Sequence, residues 1–365
     1  MAQTLADELA GLAFRAAGRL PRPRRDGSGP ELPADRELPA DRELPADREL
    51  LADRADGTVV RCGNAVAKAH AADTDPAGLA VRLRIAAAPE LAGVLLPPLR
   101  PGAEYLRGRA VTLWPYGAPV DPERPEDAPW AAAGRLLAVL HRVPVDRLPG
   151  PVPPMRGPAK LARALRRMDA ALAGAGARTG ASAGAGAGAR TGEGAGAVRG
   201  TAEAAGAAAV RAAAATLPPW ARDEAPAPTG GHGTLCHGDL HLGQLVRTDA
   251  GWRLIDVDDL GVGAAAWDLA RPAAWYAAGL LAPEDWLCFL DAYRDAGGPA
   301  AGPPGTDPWP ELDLAARALT VQTGALSVAR AMAERRRLDE VERAVTGACG
   351  RIADLPAELE PMLPS

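Results

Sequence analysis

The stretch His237-Gly238-Asp239-Leu240-His241-Leu242-Gly243-Gln244, followed by the acidic run Asp256-Val257-Asp258-Asp259, decides the fold. It is the densest polar cluster on the chain, yet Leu235-Cys236 precede it and Leu245-Val246 follow it. Between its two halves, Asp249-Ala250-Gly251 reads as a turn and Trp252-Arg253-Leu254-Ile255 as the returning strand. A loop, a hairpin and a carboxylate at the end of a buried strand can carry Asp239, Gln244 and Asp256 to one point. Phosphoryl transfer needs such a point. One carboxylate orients the attacking hydroxyl and accepts its proton, while oxygen ligands hold Mg²⁺ against nucleotide phosphates.

Each residue has a plainer reading. Asp239 alone could be a turn aspartate bonding its own backbone after Gly238. Beside Gln244 and Asp256, the catalytic reading wins. Asp256 follows the apolar pair Leu254-Ile255, where a buried carboxylate needs a partner or a metal. Of Asp258 and Asp259, one is expected as a second metal contact, Asp258 being the choice, and the other at solvent. His237 is expected to brace the catalytic loop, and His241 to brace it or touch substrate. A zinc site from His232, His237, His241 and Cys236 is disfavoured, because the spacing fits no zinc signature. His141 reads as a helix-terminal residue near the dipole, and Asp268 as a helix cap fixing the loop after Asp256.

Working outward, Thr58 to Arg61 and Ala65 to His70 read as paired strands about the turn Cys62-Gly63-Asn64. A helix over 76–87 and strands near 93–96 and 109–113 complete a small α+β lobe. Trp114-Pro115-Tyr116-Gly117 interrupts the pattern as an inter-lobe connector would. From Pro129 the periodicity is helical, with helices expected at 130–142, 159–172, 267–280, 283–296, 312–333 and 339–355. An amphipathic helix is expected within residues 1–20, and a linker over 21–54. That linker repeats Glu-Leu-Pro-Ala-Asp-Arg from Glu31, Glu37 and Glu43, with a degraded copy from Glu49. Six residues are too few for a solenoid unit. The Gly/Ala tract at about 174–206 is expected to be a flexible insertion. The nucleotide-binding lobe is placed at 55–118 and the helical lobe at 119–365.

The bulk numbers exclude several classes. A formal charge of −5 offers no basic footprint for nucleic acid. Four dispersed cysteines form no CxxC pair and fit a reducing interior. No apolar run is long enough to span a bilayer, and no basic-then-apolar leader opens the chain, so a cytoplasmic protein is expected, as monomer or homodimer.

The pattern HGD-x-H-x-x-Q followed by I-D-x-D-D resembles the catalytic and metal loops of the aminoglycoside phosphotransferase and choline kinase superfamily. Arg135 to His141 is similar to that family's helix ending in Leu-His, and Trp267-Asp268-Leu269-Ala270 to its "WDLA" helix start. Lys68 resembles its phosphate-binding lysine in placement. The resemblance spans most of residues 57–300. It implies an α+β, bilobal protein-kinase-like fold, with a small β-rich N-terminal lobe and a larger helical one. It further implies Asp239 as base, Gln244 and Asp256 as Mg²⁺ ligands, Lys68 on the α/β-phosphates of ATP, and Pro115, Tyr116 and Gly117 beside the adenine.

Where most of the family has Asn, this chain has Gln244. That form resembles maltokinase-type sugar kinases. No Gly-rich loop precedes Thr58, and no Glu on the following helix faces Lys68, leaving Asp73, Asp75 or Glu90 as its partner. The acceptor is expected to be a hydroxyl of an aminoglycoside, aminocyclitol or amino sugar. A neutral-sugar kinase or a catalytically weak nucleotide-binding protein is the alternative. Glu284, Asp285 and Asp291 are candidate contacts for ammonium groups.

Overall fold

The computed structural model describes residues 4–18, 48–54, 57–183, 193–226 and 233–355, with backbone alone for 175–201. The repeat copies before Arg48, and His232, lie outside the described residues. The fold is α+β, as expected. The chain divides into two compact units: residues 1–128, 146–153 and 242–258 form one, and 129–145, 154–241 and 259–365 the other.

The first unit is built on a five-stranded antiparallel sheet of order β1-β2-β3-β5-β4. Its strands are β1 (Arg48–Arg54), β2 (Gly57–Cys62), β3 (Ala65–His70), β4 (Glu104–Leu106) and β5 (Arg109–Pro115). Helix α1 (Leu5–Ala17) begins with a capping box between Thr4 and Asp7. It lays Leu9, Ala10, Ala13 and Ala16 on Val60, Cys62, Ala65, Ala67, Ala69, Val111 and Leu113. Because strand side chains alternate between faces, burying Ala65, Ala67 and Ala69 under α1 sends Val66, Lys68 and His70 to the opposite face. That alternation positions the unit's polar residues. Helix α2 (Pro76–Ala86) is capped by Asp75, whose carboxylate accepts from Ala77 and Gly78. A short strand β6 (Ala118–Pro119) pairs with β8 (Leu245–Thr248), which forms a hairpin with β9 (Gly251–Leu254).

Three local expectations are corrected. Residues 48–54, expected as linker, form the edge strand β1, because the degraded fourth repeat carries Leu51 where the earlier copies carry Pro33, Pro39 and Pro45. Proline would have removed a ladder donor. The strand expected near 93–96 is a 3₁₀ turn at Pro89–Leu91, then a single parallel bridge from Leu95 to Leu254. Pro97-Pro98 cut the ladder short there. The hairpin at 242–258, placed with the helical part by sequence, packs in the first unit.

The second unit contains α3 (Trp130–His141), α4 (Gly157–Ala183), α5 (Glu193–Ala215), α6 (Ala266–Ala277), α7 (Pro283–Asp295), α8 (Trp309–Glu334) and α9 (Glu340–Ala353), with the strand pair β7 (Thr234–Cys236) and β10 (Gly261–Gly263). The close approach of α3 to α7 depends on Gly134, where a Cβ would overlap the Phe289 carbonyl. Within the tract expected as a flexible insertion, 174–183 and 193–206 are helical, and 184–192 lie outside the described residues. Alanine, the strongest helix former, outweighs its interspersed glycines there.

Candidate active site

On the free face of the first unit's sheet, Lys68 Nζ lies 2.7 Å from Asp256 Oδ1 and 3.0 Å from Asp258 Oδ2. The partner of Lys68 is therefore neither Asp73, Asp75 nor Glu90; the hairpin supplies it across the fold. Burial draws the Lys68 ammonium down, but Asp256 and Asp258 outweigh it and hold it above its ordinary value. Two residues further along β3, buried His70 joins the group. Trp114 Nε1 donates to Thr112 Oγ1 at 2.8 Å, and His70 Nε2 lies 2.8 Å from the same oxygen. With the Thr112 hydroxyl donating to Nε2, Nδ1–H is left to donate to Asp258 Oδ2 at 3.1 Å, which links the whole chain by hydrogen bonds. Burial would raise the Asp258 carboxyl, yet Lys68 and His70 hold it well below the usual carboxylate range.

Asp256 adopts φ +66°, a left-handed conformation that side chains with a Cβ rarely take. Gln244 is buried, and its backbone carbonyl accepts from Ile255 N–H at 2.9 Å, which pins its main chain beside the residue before Asp256. Asp256 and Asp258 thus gather at the open end of the hairpin, beside the Gln244 backbone. Asp258 Oδ1 is buried and lies 3.0 Å from His70 Nδ1, without a well-formed hydrogen bond of its own among the described residues. Hard oxygen donors of this kind fit Mg²⁺. Of the expected nucleotide contacts, Pro115 ends β5, and Tyr116 N–H donates to the Asn64 carbonyl at 2.8 Å. Arg61 covers one face of the Tyr116 ring at 3.5 Å. A Cβ on Gly117 would meet Val246 Cγ2 at 2.6 Å, so only glycine fits there.

Within the second unit, His237, Gly238 and Asp239 form a tight turn. Gly238 has φ +85°, and a Cβ there would overlap the Asp259 carbonyl. The turn is bracketed by Asp268. His237 N–H donates to its Oδ2 at 2.6 Å and Gly238 N–H to its Oδ1 at 2.7 Å. Asp268 lies inside α6 and does not cap it, so the loop it fixes is the one at Asp239. His141 Nε2 reaches Asp268 Oδ2 at 3.0 Å, while its Nδ1 meets the Tyr293 hydroxyl at 2.8 Å. His141 is thus a buried strut, not a helix-end charge. Burial would raise the Asp268 carboxyl, but the bonds from His141 and the loop hold it down. His141, Cys236 and Asp268 place potential metal-ligand atoms within 4.8 Å of one another. Hydrogen bonds already commit His141 and Asp268, which makes this cluster a brace.

Asp239 carries two cations that sequence reasoning missed. Arg271 Nη2 donates to Oδ1 at 2.8 Å, and Lys160 Nζ lies 2.8 Å from Oδ2. Lys160 also reaches Asp259 Oδ2 at 2.8 Å, so Asp259, expected at solvent, is paired. Burial alone would raise the Asp239 carboxyl, yet Lys160 and Arg271 keep it below its ordinary range and ionised. Burial and then Arg271 hold His241 at about 4. Asp239, Leu240, Trp267, Arg271, Leu319 and Gln322 line a shallow cavity. Arg271 lies one helical turn beyond Asp268, a spacing that could have flagged it; nothing local to Lys160 would have.

A model of the phosphotransferase enzyme family matches residues 81–309, well over half of the chain, and the protein belongs to that family. It is accordingly a small-molecule phosphotransferase with an alcohol group as acceptor. Lys68 and the first three strands precede the matched residues. No curated protein is similar to the chain. Among solved structures it is similar to a choline/ethanolamine kinase family protein from Mesorhizobium loti, at 17% identity, covering 85% of this chain and 88% of that one, with TM-score 0.43. It is also similar to the spectinomycin phosphotransferase APH(9)-Ia in complex with ADP and spectinomycin, at 13% identity, 85% and 90% coverage and TM-score 0.49. The Plasmodium vivax ethanolamine kinase is similar at 11% identity, 85% and 82% coverage and TM-score 0.47. No helix among the described residues is long and apolar enough to cross a membrane.

Proposed function

We propose that the protein moves the γ-phosphoryl group of ATP, with Mg²⁺, to a hydroxyl of a small polyhydroxylated molecule. The observation that carries this reading is the pairing of Asp256 and Asp258 on one ammonium, that of Lys68. Lys68 balances these carboxylates until phosphates offer it a second set of oxygens. Asp256, Asp258 and the amide oxygen of Gln244 would hold the metal. When bound, Mg²⁺ neutralises charge on the phosphate oxygens. Asp239 accepts the hydrogen bond of the acceptor hydroxyl, aligns its lone pair and takes the proton as it leaves. Asp268 and His237 keep the Asp239 turn in place. Pro115, Tyr116 and Gly117 are proposed beside the base of the nucleotide.

For the acceptor, two classes were expected, amino-bearing and neutral. The lining beside Asp239 favours a neutral sugar. Its one carboxylate is already balanced by Lys160 and Arg271, which leaves no uncompensated negative charge for an ammonium group. Glu284 and Asp291, candidates for binding ammonium groups, are exposed on α7.

The test is ATP turnover with and without Mg²⁺ across maltose, amino sugars and aminoglycosides, in the wild type and Asp239→Ala. Loss of ~10²–10⁴ in rate in the variant is expected. Undiminished turnover would refute Asp239 as base, and the absence of nucleotide binding by calorimetry would refute the kinase reading.

A further inference from the structure

Lys160 sits in the first turn of α4, where the helix dipole disfavours a cation, and its ammonium is largely withdrawn from water. Such a placement is costly unless something holds it. The segment before it is built for this position. Met155 N–H donates to the Val262 carbonyl at 2.9 Å, and Pro154 bridges to Val262. A Cβ on Gly157 would overlap the Trp267 indole, and one on Gly263 would overlap Met155. Two glycines therefore let the start of α4 lie directly on β10 and α6, with Lys160 delivered between two carboxylates.

We propose that Lys160 is a positioning residue for phosphoryl transfer, fixing the rotamer and ionised state of Asp239 by bridging it to Asp259. The inference rests on Asp239 being the base. A polyanionic phosphoryl group must approach Asp239, and a bare carboxylate would repel it. Lys160 and Arg271 balance Asp239 and Asp259, with Arg156 at 3.8 Å from Asp259. Each Asp239 oxygen retains a lone pair for the acceptor hydroxyl. A carboxylate so restrained is a weak base, which suits a loose transition state in which the proton leaves late.

The groups facing Asp239 are Lys160 from α4, Arg271 from α6, and His241 from its own loop. Removing Lys160 leaves Arg271, with a smaller share from His241, to favour the ionised form, so Asp239 protonates at higher pH. The experiment follows the Asp239 ¹³C-carboxyl resonance, assigned by its loss in Asp239→Asn, through a pH titration. The wild type is compared with Lys160→Met and Lys160→Arg. The expected result is a midpoint raised by about one unit or more in Lys160→Met and returned towards wild type in Lys160→Arg. An unmoved midpoint overturns the proposal, whatever happens to melting temperature. If Lys160→Met does not fold, Lys160→Gln carries the same readout.

In parallel, kcat and KM for ATP are measured with Mg²⁺ and maltose as probe acceptor. A kcat reduced ~10- to 100-fold with KM for ATP unchanged is expected, together with an acid limb displaced upward. A raised KM with kcat intact would make Lys160 a nucleotide contact and overturn the assignment. Because the titration needs no turnover, it decides the role of Lys160 even if the acceptor reading fails. Full activity in Asp239→Asn would instead sink the function on which the role depends.

Discussion

Asp268→Asn isolates the brace beneath the His237–Asp239 turn. Asp268 Oδ2 accepts from His237 N–H and His141, and Oδ1 accepts from Gly238 N–H alone. An asparagine would place its oxygen at the Oδ2 position, keeping two partners, and turn its NH₂ towards the Gly238 N–H. One buried donor is then unsatisfied, at ~1–3 kcal/mol, and two charge-assisted bonds become neutral ones, at ~1 kcal/mol each. A loss of about 3–5 kcal/mol follows from these terms, a large share of the stability of an ordinary domain.

Urea unfolding at neutral pH, read as a midpoint shift at constant m, measures it. The sign of the pH dependence is also fixed. Asp268 has a lowered folded pKa, so its contribution is present above the unfolded value of about 3.9 and lost as pH falls through the folded value. The gap between wild type and Asp268→Asn should therefore narrow in acid. A loss under about 1 kcal/mol, or a gap constant down to low pH, would refute the brace.

His241, held at about 4, stays neutral in the fold while the unfolded chain takes up a proton below about 6.5. Folded stability should therefore fall as pH drops from about 6.5 towards 4, and His241→Gln should flatten that slope in melting curves; parallel slopes would refute it. Gly238→Ala forces a side chain into φ +85° and against the Asp259 carbonyl. A loss of at least ~2 kcal/mol is expected by denaturant unfolding, and an unchanged midpoint would count against the turn geometry.

Legibility in the sequence tracked the range of the interaction. The helices of the second unit other than α5, the β2–β3 pair and the β8–β9 hairpin follow from periodicity and turn residues, which act over a few positions. The juxtaposition of Gln244 and Asp256 follows from one short hairpin. By contrast, Lys68 finds Asp256 188 residues away, and no local signal encodes that distance. His70 shares the face of Lys68 by simple alternation, yet its role emerges only once Thr112 lies across the sheet. His141 ends a helix and looks like a dipole partner in one dimension; in three it is a strut to Asp268. In the Gly/Ala tract, glycine suggests flexibility while alanine sustains helix over the described residues.

The single proline-to-leucine difference that creates β1 also bears on self-association. Strand β1 is the outer edge of its sheet, with Leu50 and Leu51 at 54% and 41% exposure, the sort of edge that recruits a neighbouring chain. Arg48 and Glu49 on one side of the two leucines, and Asp53 and Arg54 on the other, place charge where an incoming strand would dock. Each earlier repeat copy carries a proline that removes an N–H such a strand would need.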